Sequence, residues 1–407
     1  MSGPVAKVLT LAGNLLVRPV SKLSPRDPLR WAFGAPEGRF EGNAKYLFLW
    51  LSLHPSRAKP VWITENRALA RRLREHGLSA LHKWSPEGML AAARAGLFFV
   101  NDGGSDINFP LGNGARLFNL WHGVGLKNVR FGAQVGFNAS VQARTANPWA
   151  RVRAMRRFEQ SDWVLATSPE MARTFFARCF DLPLPRIPAL GYPRLDPVLD
   201  DELKRLGASF EDYSVLERPA GVTRSLLYAP TLRHDKSDLL SAALPDLGRL
   251  SSALKAQDAE LLLKIHPKTR LHDNWRGSLP ANVRVLPSDL DLYPVLDRFD
   301  AIVTDYSSLF FDWIYARSEG VLLYPFDYQR YTATERDLAW DYDEATVGIR
   351  ADDFGQLCEA IRTGRVFDPL DREKLAALRQ RFWGGEPGLP TASARIVGFL
   401  LDGEQAR

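Results

Sequence analysis

Short apolar runs alternate with amphipathic stretches along nearly the whole chain. Runs typical of buried strands occur at residues 59–64, 96–102, 115–123 and 162–168, and again as SLLYAPT, AELLLKIHP, NVRVLPS, DAIVTDYSS and GVLLYPF. Helical periodicity appears in ENRALARRLREHG and PEMARTFFARCF, and then near 237–255, 290–298, 307–317, 351–363 and 371–382. This alternation predicts an α/β fold with parallel sheets that are covered by helices on both faces.

A polar stretch at about 195–222, which ends in Pro and Gly, predicts the seam between two domains. A chain of 407 residues is too long for one ordinary core. We therefore expect two Rossmann-like, doubly wound domains that face a cleft, the first over 36–205 and the second over 206–385. A helical segment over 1–35 is expected to precede them, and a C-terminal helix over 386–407 is expected to pack back on the first domain.

The composition is that of a folded protein, with 45% apolar and 25% charged residues. The sequence contains no apolar run long enough for a conventional membrane span, and its first residues lack a signal-peptide pattern. These features predict a protein that stays in the cytosol. Cys179 and Cys358 lie far apart without ligand-like spacing, so we expect reduced, packed thiols.

The net charge of +6 is modest but unevenly distributed. Residues 126–160 carry seven basic residues against Glu159 alone: Lys127, Arg130, Arg144, Arg151, Arg153, Arg156 and Arg157. A patch of this kind suits an anionic partner, which could be nucleic acid, an acidic lipid headgroup or a polyphosphate chain. An ordinary solvated basic surface is the alternative.

Polar side chains directly follow several of the predicted strands. They are His122, Arg233, His266 and the quartet Asp305, Tyr306, Ser307 and Ser308. Each has an ordinary structural explanation, and the quartet alone fits a helix N-cap. Together, two imidazoles, a guanidinium and a hydroxyl-rich helix start are what an enzyme gathers around a pyrophosphate. Because most of them belong to the second domain, we expect the anion there and His122 across the cleft.

These residues also lie in motifs that resemble, in order and spacing, those of the CDP-glycerol glycerophosphotransferases, which build wall teichoic acids and related phosphopolyol capsules. The motifs are NLWHGVGLKNV, LGYPRLD, LLYAPTLR, LLLKIHP, AIVTDYSSLFFDW and the stretch 331–336 before DYDE. EGNAKYLFLW, VWITEN and the late ASARI are similar to the family's outer landmarks. The resemblance covers about residues 38–400.

The resemblance implies a GT-B architecture in which the second domain holds the donor. It implies transfer of a polyol phosphate, with glycerol phosphate as the first candidate, from a CDP-activated donor to a hydroxyl with release of CMP. His122 matches the family's proposed general base, and His266 is expected to act in catalysis and at the donor phosphates. The remaining donor-phosphate candidates are Arg233, Asp305, Ser307 and Ser308, and the acceptor-side candidates are Lys127 and Arg194.

No cofactor or metal site is expected beyond the donor substrate, CDP-glycerol or CDP-ribitol, because no carboxylate pair follows a strand. The sequence departs from the family pattern at Val124 and Gly125, where Thr-Pro is common, and at Asp337, where glycine is common. Glycerol, ribitol and a glycosyl unit all stay open as the transferred group. The acceptor, the number of units added and the oligomeric state are not predicted.

Family members act on lipid-linked acceptors at the inner face of the cell membrane, so a peripheral location there is expected. Apolar and basic residues within 1–35 favour a helix that lies at an anionic membrane surface, although an ordinary helix packed on the first domain is the alternative. Residues 130–157 are a second candidate surface. Rival hypotheses are a GT-B glycosyltransferase that uses a nucleotide sugar, a non-catalytic polyanion-binding or membrane scaffold and, ranked last, a nucleic-acid-binding protein.

Overall fold

The computed structural model describes residues 13–136, 160–233, 238–266, 269 and 279–405. The chain divides into two compact units. The first comprises Met1–His122, Val141–Gly207 and Gly388–Arg407, and the second comprises Gly123–Ser140 and Ala208–Pro387. The chain leaves the first unit after His122, so residues 123–136, which lie within the bounds predicted for the first domain, belong to the second unit.

The first unit contains a six-stranded parallel sheet in the order β3-β2-β1-β4-β5-β6. Its strands are β1 Asp27–Phe33, β2 Lys59–Thr64, β3 Ala80–His82, β4 Ala95–Val100, β5 Arg116–Asn119 and β6 Trp163–Val164. The order reverses between β1 and β4, which are neighbours in the sheet. In doubly wound sheets such a switch point, at the carboxyl ends of the strands, is where ligands bind.

The second unit repeats this topology in the order β12-β11-β10-β7-β8-β9. Its strands are β7 Arg224–Tyr228, β8 Ala259–Leu263, β9 Val283–Val285, β10 Ala301–Thr304, β11 Val321–Leu323 and β12 Ile349–Arg350. Here β7 and β10 flank the switch point. The expected α/β class, with two doubly wound parallel sheets, is confirmed.

Helices connect the strands and cover the sheets. Those of eight or more residues are α1 Gly42–Leu53, α2 Arg67–Glu75, α3 Pro86–Arg94, α4 Asp201–Ala208, α5 Leu247–Lys255, α6 Leu309–Ala316, α7 Phe354–Arg362, α8 Arg372–Trp383 and α9 Ala392–Gln405. Shorter helical segments include Gly13–Val17, Arg18–Ser21, Pro169–Met171, Ala172–Phe176, Ala177–Phe180, Leu239–Ala243 and Tyr331–Glu335.

Continuous apolar runs form the central strands because both faces of each sheet are covered. All six residues of β4 are buried, as are all four of β10. The polar member of β8, Glu260, is also fully buried and is paired with Arg284 at 2.6 Å. Cys179 and Cys358 are buried free thiols, as expected.

The segment 1–35 departs from the prediction of a helical region. Residues 27–33 form β1, a central strand of the first sheet, whereas residues 13–21 are helical. Only the last three residues of β1 are buried, so its apolar pattern is too short to stand out. Among the residues that the structure describes, no helix has the length and apolar character that crossing a bilayer requires.

Candidate active site

Arg233 and Asp305 lie at the switch point of the second unit, where loops leave the carboxyl ends of β7 and β10. Their side chains form a salt bridge of 2.9 Å in which neither is more than 1% exposed. Asp305 also accepts hydrogen bonds from the backbone N–H groups of Thr231 and Tyr306. The carboxylate thereby joins the two loops on either side of the switch point.

A second carboxylate completes the surroundings of the Arg233 guanidinium. Asp327 accepts from Nε at 2.9 Å and from Nη2 at 2.8 Å, and the carbonyl of Thr231 accepts from Nη1. Both carboxylates raise the pKa of Arg233 well above its usual range against the opposing effect of burial. Most of the Arg233 donors are therefore engaged by protein groups. Direct contact of Arg233 or Asp305 with a phosphate stays a prediction.

Aromatic rings hold this ion cluster in place. Tyr306 stacks on Tyr331 with ring centroids 4.0 Å apart, and the Arg233 guanidinium lies 4.7 Å from the Tyr331 ring centre. The Tyr306 hydroxyl donates to Asp327, and the Tyr342 hydroxyl donates to the carbonyl of Asp305. Rigid surroundings of this kind fix charges in advance of ligand binding.

Ser307 and Ser308 precede α6, which begins at Leu309. No side-chain hydrogen bond caps the helix at Ser308, and the hydroxyl of Ser307 accepts a 3.3 Å bond from the backbone N–H of Leu309. The helix start is thus weakly capped by its own side chains, and both serines are half-buried. A Cβ atom on Gly123 would lie 2.8 Å from the hydroxyl of Ser308, so a side chain at position 123 would crowd this hydroxyl.

Lys127 and Arg336 add two further cations to the region of Arg233. Residue 127 forms an isolated bridge with Leu338, and its ammonium group interacts electrostatically with Asp305, Arg336 and Arg233. Burial lowers the pKa of Lys127 to about 8; the two arginines lower it further, while Asp305 opposes them. Lys127 lies in the second unit, because the chain has entered that unit by residue 123, and its expected acceptor-side role stays a prediction.

The residue that departs from the family pattern, Asp337, organises the loop that carries Lys127. Its carboxylate accepts a 2.7 Å bond from the Asn128 side chain and 3.1 Å bonds from the backbone N–H groups of Gln134 and Val135. Its carbonyl accepts from the backbone N–H of Asn128. A glycine at this position would lack every bond made by the carboxylate.

His266 is exposed in the loop that follows β8. Its carbonyl accepts a hydrogen bond from the backbone N–H of Thr269. β8 is the neighbour of β7 in the sheet, so this loop and the loop that carries Arg233 leave the same edge. The roles expected for His266 stay predictions.

The backbone at Trp121 and His122 of the first unit, termed the Trp-His corner, is strained at Trp121 and held by hydrogen bonds from its neighbours. Trp121 adopts φ = 56°, which is unusual for a bulky residue. The Asn119 side chain accepts from the backbone N–H of Trp121 at 2.8 Å, and the buried Asn43 side chain donates to the carbonyls of Leu120 and Trp121. These bonds fix the backbone from which His122 extends.

His122 itself is exposed, and its Nδ1 atom lies 3.1 Å from the carbonyl oxygen of Asn101. Its expected position across a cleft from the donor phosphates stays a prediction. Arg194 is only 2% exposed, lies over the ring of Tyr192 and donates through its backbone N–H to Asn43. Arg194 is therefore linked through Asn43 to the Trp-His corner. Its expected contact with the acceptor stays a prediction.

Some polar residues of these sites were missed by the sequence analysis. They are Asn43, Asn101, Asp106 and Asp327. Asn101 and Asp106 belong to the loop that follows β4, so the search of strand ends could have found them. Among the described residues, no group of three or more His, Cys, Asp or Glu side chains is arranged to hold a metal ion. Phe137, Trp149 and the cations at 144–157 lie outside the described residues.

Two six-stranded parallel sheets, each with its switch point at the carboxyl ends of the strands, define a fold of the GT-B type. The profile of the CDP-Glycerol:Poly(glycerophosphate) glycerophosphotransferase family matches residues 25–401. The chain belongs to this family, which confirms the resemblance seen in the sequence. The match also places the chain among enzymes of the transferase type.

Two relatives of the chain are teichoic acid enzymes by their names. The chain is 27% identical to the teichoic acid ribitol-phosphate primase of Bacillus spizizenii over 242 residues, which are 59% of this chain and 59% of the relative. It is 23% identical to the teichoic acid glycerol-phosphate transferase of Staphylococcus aureus over 332 residues, 80% of each chain. The match thus spans about three fifths of the first relative's length and four fifths of the second's.

The same fold occurs in a solved structure of a variant of the wall teichoic acid polymerase TagF after a 15-minute soak with CDPG. The two structures superpose with a TM-score of 0.73 at 19% identity, over 99% of this chain and 97% of the other. This likeness confirms the GT-B type of fold.

Proposed function

We propose that this protein transfers a polyol phosphate from a CDP-activated donor to a hydroxyl group of an acceptor in the synthesis of a teichoic-acid-like surface polymer. The observation that carries the proposal is the cation cluster of Arg233, Lys127 and Arg336 beside a weakly capped helix start, at the switch point of the second unit. Backbone N–H groups and fixed cations are the means by which proteins bind phosphates without a metal.

The relatives support the same donor chemistry. One transfers ribitol phosphate and another transfers glycerol phosphate, by their names, and the TagF structure was obtained after a soak with CDPG. We propose CDP-glycerol as the first donor candidate and CDP-ribitol as the second. Lys127 and Arg336 would balance the diphosphate charge, and Arg233 would hold Asp305 and the two loops in place.

In the proposed reaction, the acceptor hydroxyl oxygen attacks the phosphorus that bears the polyol. A new bond forms between the acceptor oxygen and this phosphorus, the bond between the same phosphorus and the bridging oxygen of the diphosphate breaks, and CMP leaves with that oxygen. His122 takes the hydroxyl proton, since an imidazole is suited to general-base work near neutral pH. His266, when protonated, would add positive charge at the departing phosphate. We propose that no metal ion is needed, so transfer should persist in the presence of a chelator.

The test is a donor panel. Purified protein should release CMP from CDP-glycerol or CDP-ribitol in the presence of a lipid-linked hydroxyl acceptor, and the acceptor should gain a phosphodiester. Release of a nucleoside diphosphate from a nucleotide sugar instead would favour a glycosyltransferase. Donor binding without turnover of any donor would favour a non-catalytic scaffold.

We also propose that the protein lies at an anionic membrane surface through its N-terminal helical segment. The exposed apolar side chains of this segment are Leu15, Leu16, Val17, Val20 and Leu23, whose exposure ranges from 43% to 84%. Its inward contacts are polar: Ser21 donates to the carbonyl of Pro110, and Arg18 donates to the carbonyl of Phe109 and covers that ring. This orientation is the reverse of a helix that packs on a core, and it suits a lipid interface.

Liposome sedimentation tests the membrane proposal. The protein should bind vesicles that contain anionic lipid at low salt and be released as salt rises. The double variant Leu16→Gln and Leu23→Gln should lose binding, whereas a Leu184→Gln control, which changes another exposed leucine of the first unit, should keep it. Equal binding by both variants would overturn the proposal.

A further inference from the structure

One peptide group of the first unit lies between the Asp106 carboxylate and the His122 imidazole. The Oδ2 atom of Asp106 accepts hydrogen bonds from the backbone N–H groups of Asn101 at 3.0 Å and of Asp102 at 2.9 Å. The carbonyl of Asn101, which shares a peptide group with the N–H of Asp102, lies 3.1 Å from Nδ1 of His122. Carboxylate, peptide group and imidazole therefore form one continuous chain of hydrogen bonds.

The acceptor at the end of this chain determines the tautomer of His122. A carbonyl oxygen can only accept a hydrogen bond, so Nδ1 carries the proton that points at Asn101. In the neutral ring, Nε2 then holds the lone pair and is the atom that can accept a proton. The contact with Asn101 thus presents His122 in the form that a general base needs.

We propose that Asp106 is a positioning residue that strengthens His122 as a base through the Asn101–Asp102 peptide group. A carboxylate that accepts from the peptide N–H polarises the amide and makes its carbonyl oxygen a better acceptor. That oxygen then stabilises the imidazolium formed when Nε2 takes the hydroxyl proton. This inference rests on the proposed function in one respect, since it takes His122 to be the base.

The location and burial of Asp106 support a role for its charge. The residue lies in the loop that follows β4, at the switch point of the first sheet, and it is only 7% exposed. Among the described residues, its contacts are backbone N–H groups and no cation forms an ion pair with it. A buried carboxylate without a counter-ion is unfavourable for folding. A neutral hydrogen-bond acceptor could hold the loop with a smaller free-energy cost of burial. The negative charge of Asp106 therefore indicates a role other than holding the loop.

Asp106 also titrates in the range in which a histidine works. Burial raises the pKa of Asp106 to about 7 and the nearby carboxylate of Asp102 raises it as well, while the backbone N–H groups oppose the shift. The other charged side chains on the surrounding elements are Lys83, whose ammonium group binds the carbonyl of Ser105, and Glu37, Arg39 and Glu41 in and after the turn that packs on this loop. Ionisation of Asp106 would thus accompany activation of His122.

The Asp106→Asn variant isolates the charge. Both hydrogen bonds go to one oxygen, so an amide oxygen at the same place keeps them. Asp102→Asn is the comparison variant, because it removes an exposed carboxylate of the same loop whose side chain takes no part in the chain of hydrogen bonds and which acts on Asp106 only through its charge. The pH dependence of kcat and the ¹⁵N signals of the His122 ring would be measured in both proteins.

Asp106→Asn should move the acid limb of the kcat profile and the midpoint of the His122 titration to lower pH by roughly 0.5–1 unit, the size expected for one nearby charge. Its maximal kcat should fall about 10-fold, within the range that general-base catalysis contributes. Asp102→Asn should change both quantities much less. A profile and a titration that coincide with those of the wild-type protein would overturn the inference.

Two further measurements keep the outcomes apart. If His122→Ala retains full transfer, the proposed function of His122 fails, but the ring titration in Asp106→Asn still tests the coupling. If Asp106→Asn does not fold, the tautomer of His122 is measured in the wild-type protein at a pH at which the ring is neutral. A proton on Nδ1 would support the chain of hydrogen bonds, and a proton on Nε2 would contradict it.

Discussion

The carboxylate of Asp305 and the guanidinium of Arg233 are joined by a 2.9 Å salt bridge that is almost completely shielded from water. Asp327 approaches the same guanidinium from another loop at 2.8 Å. One arginine thus holds together loops that leave three strands, β7, β10 and β11. The arrangement explains how a loop-built site can be rigid before any ligand binds.

Replacing Arg233 should destabilise the second unit. Arg233→Met would leave the buried carboxylate of Asp305 without its salt-bridge partner and would leave Asp327 paired only with the partly exposed Arg330, and loss of one partner of a buried pair costs about 3–5 kcal/mol of unfolding free energy. Urea unfolding would measure the change. The double variant Arg233→Met and Asp327→Asn should recover part of the loss, because one of the uncompensated charges is gone. No recovery in the double variant would contradict this account of the cluster.

Donor binding should be accompanied by proton uptake. The pKa of Lys127 is lowered to about 8, and a diphosphate beside its ammonium group would raise the pKa again. Binding of CDP-glycerol at pH 8 should therefore take up as much as about 0.5 proton per site. Calorimetry in buffers of different ionisation enthalpy measures the uptake. The Lys127→Met variant should show no proton uptake on donor binding. An unchanged uptake in that variant would mean that a group other than Lys127 takes up the proton.

The Asp337 carboxylate should protect the loop that carries Lys127 from local opening. In Asp337→Gly, the backbone N–H groups of Gln134 and Val135 lose their acceptor. Their hydrogen exchange should quicken by about 10-fold, which corresponds to a local loss of roughly 1–2 kcal/mol. Asp337→Asn keeps an oxygen acceptor and should show a smaller effect. Equal protection in the wild-type and glycine proteins would contradict this role.

Stability should fall as the pH rises from about 4 to about 7. Burial raises the pKa values of Asp106 and Asp196 to about 7, so in this range the native state binds more protons than the unfolded state. Each pKa unit corresponds to about 1.4 kcal/mol. Lys127 should make the stability rise with pH between about pH 8 and its usual pKa of 10.5, because the native state binds fewer protons than the unfolded state in that range. Thermal unfolding at several pH values would show the decline.

In the Asp106→Asn protein, the stability should decline less between about pH 4 and 7, because one of the two carboxylates with a raised pKa is absent. Asp196 still contributes, since burial raises its pKa although its carboxylate accepts from the backbone N–H groups of Ala392 and Ser393 at the start of α9, which oppose the shift. A melting temperature that rises with pH between 4 and 7 in the wild-type protein would contradict the expected sign of the pH dependence.

The fold could be predicted from the sequence because buried parallel strands give continuous apolar runs. β1 was missed since only its last three residues are buried and Pro28 lies near its start. The division of the chain was predictable near residue 207 from the polar seam. The transfer of residues 123–136 to the second unit was not, because nothing in the local pattern indicates which sheet a loop packs on.

The candidate site was only partly predictable. Strand-end positions led to Arg233 and Asp305, which the structure brings together, but not to Asp327, whose loop carries no distinctive pattern. The roles proposed for Asn101 and Asp106 depend on a peptide group that links the Asp106 carboxylate to the His122 imidazole by hydrogen bonds. Such a relation exists only in three dimensions, and the glycine-rich sequence NDGGSD suggests nothing more than a turn.

Calorimetric titration of CDP-glycerol into the His122→Ala protein, with CMP release followed in the same samples, tests the central claim most directly. The cation cluster of the second unit is intact in this variant, so the donor should bind about as tightly as it binds the wild-type protein. CMP release in the presence of acceptor should fall by about 100-fold to 10,000-fold, the usual effect of losing a general base. Undiminished release, or a wild-type protein that binds no CDP-glycerol or CDP-ribitol, would contradict the account.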